Sequence, residues 1–307
     1  MRPPGPNTLG PQDHGAAVRK MKILLLGITG MLGNAVFRVF SADKEHETWG
    51  TLRSAQGLQW FPAPLQAHIV SNLDVLDHDA MCAVIERLRP DVVINCIGLI
   101  KQLAEANNPL VALPVNALLP HRLAHSCGLA GARLIHVSTD CVFAGRKGGY
   151  LESDISDAED LYGKSKYIGE LHDLPHAITL RTSFIGHELN SAHELIDWFL
   201  AQEGKVKGFS RAVFSGLPTV ELARVMKDFV MPHPELSGLY HVSAEPISKL
   251  DLLRLVAAQY GKSIEIVPDD QLVIDRSLNG SHFSSATGYA PPSWSELVLQ
   301  MYKHRNG

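Results

Sequence analysis

Tyr162-Gly163-Lys164-Ser165-Lys166 sets a phenol and an ammonium four positions apart, and on a helix that spacing puts both on one face. A free tyrosine ionises near ~10, so it is a poor acid or base at neutral pH unless a nearby positive charge favours the phenolate. Lys166 is expected to supply that charge. Alone, a Tyr-x-x-x-Lys pair usually marks an exposed helix face. Two further signals in the right order lift it above that: Ser138-Thr139-Asp140 just upstream, and a glycine-rich turn over residues 27–33.

Gly27-Ile28-Thr29-Gly30-Met31-Leu32-Gly33 follows an apolar run and opens a helical pattern, the context required of a dinucleotide fingerprint. Its spacing is GxxGxxG, not GxGxxG, but the physical demand is similar. Glycines let the backbone turn tightly and approach a pyrophosphate, whose charge sits at the helix N-terminus. Gly27, Thr29, Gly30, Met31, Leu32 and Gly33 are therefore candidate cofactor contacts, against the alternative of a purely structural turn. The second strand ends Gly50-Thr51-Leu52-Arg53 without the carboxylate that would bind a ribose hydroxyl. Arg53 suits a 2′-phosphate, which favours NADPH with NADH as the alternative; a solvated surface arginine is the competing reading. Asp74 and Val75, and Cys96, Ile97 and Gly98, follow the third and fourth strands at the carboxyl edge and are expected to wall the adenine and ribose.

The elements that must position these residues alternate along the chain. Met21–Leu26 (MKILLL) reads as a strand buried on both faces of a parallel sheet. A helix over 31–40, a strand over 47–52, a helix over 78–88 and a strand over 91–96 follow. A long helical region over 110–129, a strand over 133–138, the Tyr162 helix and a strand over 177–181 complete the series. Such alternation implies right-handed crossovers and an α/β fold with a doubly wound parallel sheet, a Rossmann architecture. Beyond Thr182 the pattern predicts a helix over 194–202, a loop over 209–218 and a helix over 220–230. A strand over 239–242 returning to the main sheet, a helix over 248–260, a strand over 264–267 and a Pro-rich, Trp-bearing end at 291–294 follow. The division expected is a dinucleotide-binding domain over 21–185 and a smaller substrate lobe over 186–307. Residues 1–20, rich in Pro and Gly, are expected to be a flexible extension or the product of an upstream start, without a role in the fold.

At 307 residues, 45% hydrophobic and 20% charged, the composition is that of an ordinary globular chain. A net charge of −4 and the lack of a basic run argue against a nucleic-acid surface. Cys82, Cys96, Cys127 and Cys141 have no metal-ligand spacing, so no metal site is expected and reduced, cytoplasmic thiols are. No apolar run approaches the ~18 residues of a membrane span. The expected partner is a small molecule, and a homodimer is left open.

GITGMLG, NCIG, HVSTDCVFAG, YGKSK, LRTSFIG and GLYHVS together resemble the extended short-chain dehydrogenase/reductases, most closely their dTDP-4-dehydrorhamnose reductase group, over nearly everything from Met21 onward. The resemblance implies a dinucleotide-binding sheet with a small substrate lobe. It also implies reduction of a 4-keto nucleotide sugar with NADPH or NADH, in deoxysugar or surface polysaccharide synthesis. By motif match, Thr139 takes the hydroxyl position, with Ser138 as its substitute, Tyr162 is the acid, and Lys166 the supporting cation that also holds the nicotinamide ribose. Phe184 falls where an aromatic meets the sugar. The chain departs from the group's S-T-D-Y-V-F-D-G form at Cys141 and Ala144, and again over 97–106, both on the substrate side. Related dehydratases carry Asp-Glu after the Thr; here Cys141 follows Asp140, which argues against dehydration. Asp140, Lys101, His187 and Arg211 are candidate sugar or diphosphate contacts, although such residues more often belong to surfaces and loops. Two other readings stay open: an epimerase that retains its cofactor, against which Arg53 speaks, and a dinucleotide-binding regulatory subunit, against which the intact Thr139, Tyr162 and Lys166 speak.

Overall fold

β1 (Met21–Leu26) is buried from Ile23 to Leu26, and its alternate side chains enter two different cores. The computed structural model describes residues 20–99, 104–189 and 191–305, so Lys101 lies outside the described residues. After β1 come α1 (Met31–Ala42), β2 (His46–Thr51), α2 (Ala63–Gln66), β3 (Ile69–Val70), α3 (His78–Leu88) and β4 (Val92–Asn95). Then follow α4 (Pro109–Ala112), α5 (Leu119–Ala130), β5 (Arg133–Thr139), α6 (Leu161–Ile168), β6 (Ala177–Thr182) and β7 (Phe184–Ile185). The rest is α7 (Leu195–Ala201), β8 (Lys205–Phe209), β9 (Ala212–Phe214), β10 (Leu217–Pro218), α8 (Thr219–Val225) and β11 (Gly238–His241). β12 (Ile247–Ser248), α9 (Lys249–Tyr260), β13 (Glu265–Asp269), β14 (Ile274–Asp275), α10 (Ser281–Thr287) and α11 (Trp294–Lys303) end the described chain.

Seven strands form one sheet in the order β11-β6-β5-β4-β1-β2-β3, and every neighbouring pair is parallel. Both faces are covered, as a parallel sheet requires. On one face Ile23, Leu25, Ile94, Ile135, Val137, Ile178 and Leu180 pack with Val36 and Phe37 of α1 and Leu222 of α8. On the other, Leu24, Leu26, Val93 and Leu134 pack with Met81 and Ile85 of α3 and Leu123 of α5. The period of two along each strand feeds two cores at once, which explains why residues 23–26 of β1 have no polar position. A third core joins Ile185, Ile196, Phe199, Phe214, Leu252, Val256, Val298 and Met301 in the C-terminal part.

Several elements differ from the sequence pattern. Residues 209–218 are not a loop: they hold β9, which pairs with β12 and β14, and β10, which pairs with β7. Strands of two or three residues are too short to display a period. β13 extends beyond 264–267 to Asp269 and is held by parallel pairing to β8, a long-range partner. The sequence pattern does not show α10 or α11; the Pro-rich residues 291–293 lead into α11 at Trp294. For α11 the local signal was present: Ser293 and Glu296 form a reciprocal capping box just before the apolar stripe. The long helical region is broken by a π-helical stretch, Leu113–Leu118, around Pro114, which has no N–H to donate. A second π-helical stretch, Met226–Val230, finishes the region expected as one helix over 220–230. No helix among the described residues is long and apolar enough to cross a membrane.

Candidate active site

The strand order reverses between β1 and β4, so the loops that leave their carboxyl ends diverge and open a cleft of about 760 Å³. Thr29, Gly30, Met31 and Leu32 line one end of it, and Cys96, Ile97 and Gly98 follow from β4. Ser138, Thr139, Asp140, Cys141, Tyr162, Lys166 and Phe184 continue the wall. Gly33 holds the turn closed: a Cβ there would stand 2.1 Å from the Gly27 carbonyl oxygen. α1 starts without a side-chain cap and without an acidic residue in its first turn. Its N-terminal amides and dipole therefore suit an anion such as a pyrophosphate.

The Thr139 and Tyr162 side chains meet because α6 packs hard against the turn that follows β5. Asp160 caps α6 by accepting from the Gly163 amide at 2.7 Å. Gly163 permits the approach, since a Cβ would lie 2.3 Å from the Cys141 carbonyl oxygen. Thr139 Oγ1 accepts from the Cys141 amide at 3.1 Å and donates to Asp140 Oδ1 at 3.3 Å, and its hydroxyl lies near enough to the Tyr162 phenol to favour its ionised form slightly. Behind them Asn116 ties the loop after β4 to α6: its Oδ1 accepts from the Leu99 amide at 2.9 Å and its Nδ2 donates to Ser165 Oγ at 3.2 Å.

One electrostatic expectation is corrected. Lys166 does not favour the Tyr162 phenolate; burial, followed by the fields of Cys141, Asp140 and Glu194, pushes the phenol well above its usual range. Lys166 Nζ donates instead to the Val137 carbonyl at 2.8 Å, and burial brings its ammonium down to about 8, opposed by Glu170 and Cys96. Burial likewise pushes the Cys96 thiol up to about 12. Helical spacing sets proximity, whereas the low dielectric around both groups decides their protonation.

Other expected residues are placed as follows. Gly27 and Gly33 support the turn without lining the cleft. Arg53 is exposed just past β2, Asp74 is exposed in a turn where its Oδ1 accepts from the Leu76 amide, and Val75 packs against the α3 face; none of the three lines the cleft. Arg211 is exposed and does not line the cleft, although the next residue, Ala212, does; Arg276 lines it instead, with Nε donating to the Phe143 carbonyl at 2.7 Å. His187 is committed to Asp197 at 2.6 Å and Tyr260 at 2.8 Å, which removes it as a sugar contact. Ser138 donates to Glu170 at 2.6 Å and so cannot stand in for Thr139. Asp140 is buried and its carboxyl is raised by that burial. Glu194 and Lys249, which sequence reasoning missed, join the substrate side; burial and then Glu188 raise the Glu194 carboxyl. Asn116, Lys249 and Arg276 lie in no local motif, and only tertiary packing brings them here.

The model of the RmlD substrate binding domain family matches residues 21–305. Methionine adenosyltransferase 2 subunit beta of Danio rerio is 29% identical over 278 residues, 86% of this chain and 82% of that protein. dTDP-4-dehydrorhamnose reductase of Mycobacterium tuberculosis is 39% identical over 177 residues, 55% of this chain and 52% of the enzyme, so the match spans about half of its length. Among solved structures, dTDP-4-dehydrorhamnose reductase from Bacillus anthracis in complex with NADP superposes with a TM-score of 0.76 at 21% identity, covering 93% of this chain and 98% of that one.

Proposed function

Because the chain belongs to the RmlD substrate binding domain family, we propose that it is an NADPH-dependent reductase of a 4-keto nucleotide sugar. The observation that carries this reading is Thr139 and Tyr162 side by side on the wall of the cleft, with Lys166 one helical turn further on. The uncapped start of α1 fits the pyrophosphate of a dinucleotide, with Thr29, Gly30, Met31 and Leu32 around it. When bound, a reduced nicotinamide supplies the hydride. Thr139 holds the carbonyl oxygen by a hydrogen bond, and Tyr162, kept protonated by its surroundings, gives its phenolic proton to that oxygen as negative charge develops. Lys166 holds the ribose and so fixes the nicotinamide relative to Tyr162 and Thr139. Phe184, Asp140, Lys249 and Arg276 face the sugar nucleotide, with the two cations toward its phosphates.

Purified protein incubated with NADPH and a panel of 4-keto-6-deoxy nucleotide sugars is expected to consume NADPH. Absence of consumption across the panel refutes the reductase reading. A second reading, a dinucleotide-binding subunit without turnover, is supported by the match to the Danio rerio subunit over 86% of the chain. It predicts NADPH binding by fluorescence titration with no oxidation under any condition of the panel.

A further inference from the structure

Behind Thr139 and Lys166 lies a buried charge cluster that none of these roles uses. Glu170 follows the end of α6, Arg181 is on β6 and His241 on β11, and they are 3%, 1% and 0% exposed. Arg181 clasps Glu170 from two atoms, Nε to Oε1 at 2.8 Å and Nη2 to Oε2 at 2.5 Å. Ser138 donates to the same Oε1 at 2.6 Å. Arg181 Nη1 donates to His241 Nε2 at 2.9 Å, and His241 Nδ1 meets the Tyr150 carbonyl at 3.0 Å, a pairing that assigns its proton to Nδ1. Burial, then Arg181, brings His241 down to about 3, so it adds no charge at neutral pH.

Lys166 Nζ donates to the Val137 carbonyl at 2.8 Å, and Glu170 accepts from the hydroxyl of the next residue, Ser138, at 2.6 Å, so the two grip neighbouring residues of β5. The groups around Lys166 belong to or follow α6, β4 and β5. Tyr162 lies one turn earlier on α6, Cys96 follows β4, His136 is on β5, and Glu170 is one turn later. Burial keeps the phenol and the thiol protonated, and burial followed by Lys166 itself keeps the imidazole neutral. Of these groups only Glu170 carries a negative charge, and it is already bound to the second buried cation, Arg181. We propose that Glu170 is a positioning residue for the reaction: it is the counter-charge that keeps Lys166 an ammonium in a site too dry to hold one alone. Through Ser138 it also anchors the end of β5 that carries Thr139. The inference rests on the reductase reading for the role of Lys166, but its electrostatic content can be read without turnover.

Competitive acetylation of the full-length chain with acetic anhydride, read at Lys166 by mass spectrometry over neutral to alkaline pH, reports the ammonium directly. The wild type is expected to show a midpoint of about 8. Glu170→Gln keeps hydrogen-bonding atoms but removes the charge, and is expected to lower that midpoint by about one pH unit or more; Glu170→Asp is expected to restore most of it. The alkaline limb of kcat/KM for NADPH oxidation should move by the same amount. Should Glu170→Gln not fold, as judged by its melting curve, the double variant with Arg181→Met removes both partners and is expected to shift the midpoint in the same direction by less. Coincident Lys166 midpoints in wild type and either folded variant overturn the proposal. Missing turnover in the wild type would instead count against the reductase reading, while the acetylation midpoints still decide on Glu170.

Discussion

Tyr162 holds its proton far beyond neutral pH, which suits an acid that must release it only when an alkoxide forms beside it. Replacing it with phenylalanine is expected to lower kcat for NADPH oxidation by ~10²–10⁴, the usual worth of positioned general acid catalysis. Arg53 makes a different prediction. It is exposed past the end of β2, where a 2′-phosphate would add a charge-assisted hydrogen bond worth about 1.5–3 kcal/mol. Arg53→Ala should therefore raise KM for NADPH by ~10-fold or more and leave that for NADH unchanged in steady-state assays with both cofactors. At this scale the Thr139, Tyr162 and Lys166 constellation was legible, because short motifs fix which side chains share a strand end or a helix face. The sign of the electrostatic effect on Tyr162 was not, since burial comes from elements distant in sequence. The same holds for Arg276, which occupies the cleft where Arg211 was expected.

Elements position these residues through close backbone contacts more than through side-chain packing. Gly33→Ala would drive a methyl into the Gly27 carbonyl, against backbone that cannot swing aside. Overpacking of this kind typically costs about 1–3 kcal/mol. The variant is expected to melt at lower temperature and to lose NADPH binding in a fluorescence titration, both together. β3, with two residues, is too short to show an apolar run, whereas β1, β4, β5 and β6 were readable because each carries one beside a helix, and each serves two cores. β9, β10, β12 and β14 were not, being two or three residues long and stabilised by pairing rather than by pattern. The start of α11 is marked locally by Ser293 and Glu296, while Pro291 and Pro292 just before them have no N–H and obscure it in the sequence pattern.

For the molecule as a whole, the histidines held neutral in the interior make acid the weak side of its stability. His241 titrates near 6.5 when unfolded and about 3 when folded, so the unfolded chain binds more protons between those values. Stability is therefore full above about 6.5 and falls as the pH drops toward 3, at up to about 1.4 kcal/mol per pH unit for this one group. His136, held well below its usual range by burial, acts in the same direction. Urea unfolding followed across that window should show the decline, and His241→Asn should flatten it relative to the wild type even though the variant starts less stable.

The position of β11 constrains how such a protein can change over time. Its residues come from late in the chain, yet they lie against β6 at the edge of the first half's sheet, and His241 accepts from Arg181 across that seam. A chain ended after β6 would expose a raw sheet edge and strip Arg181 of an acceptor. The two halves are thus not interchangeable cassettes. The cleft wall around Phe184, Glu194, Lys249 and Arg276 can change residue by residue, whereas the strand that closes the sheet has to be inherited intact.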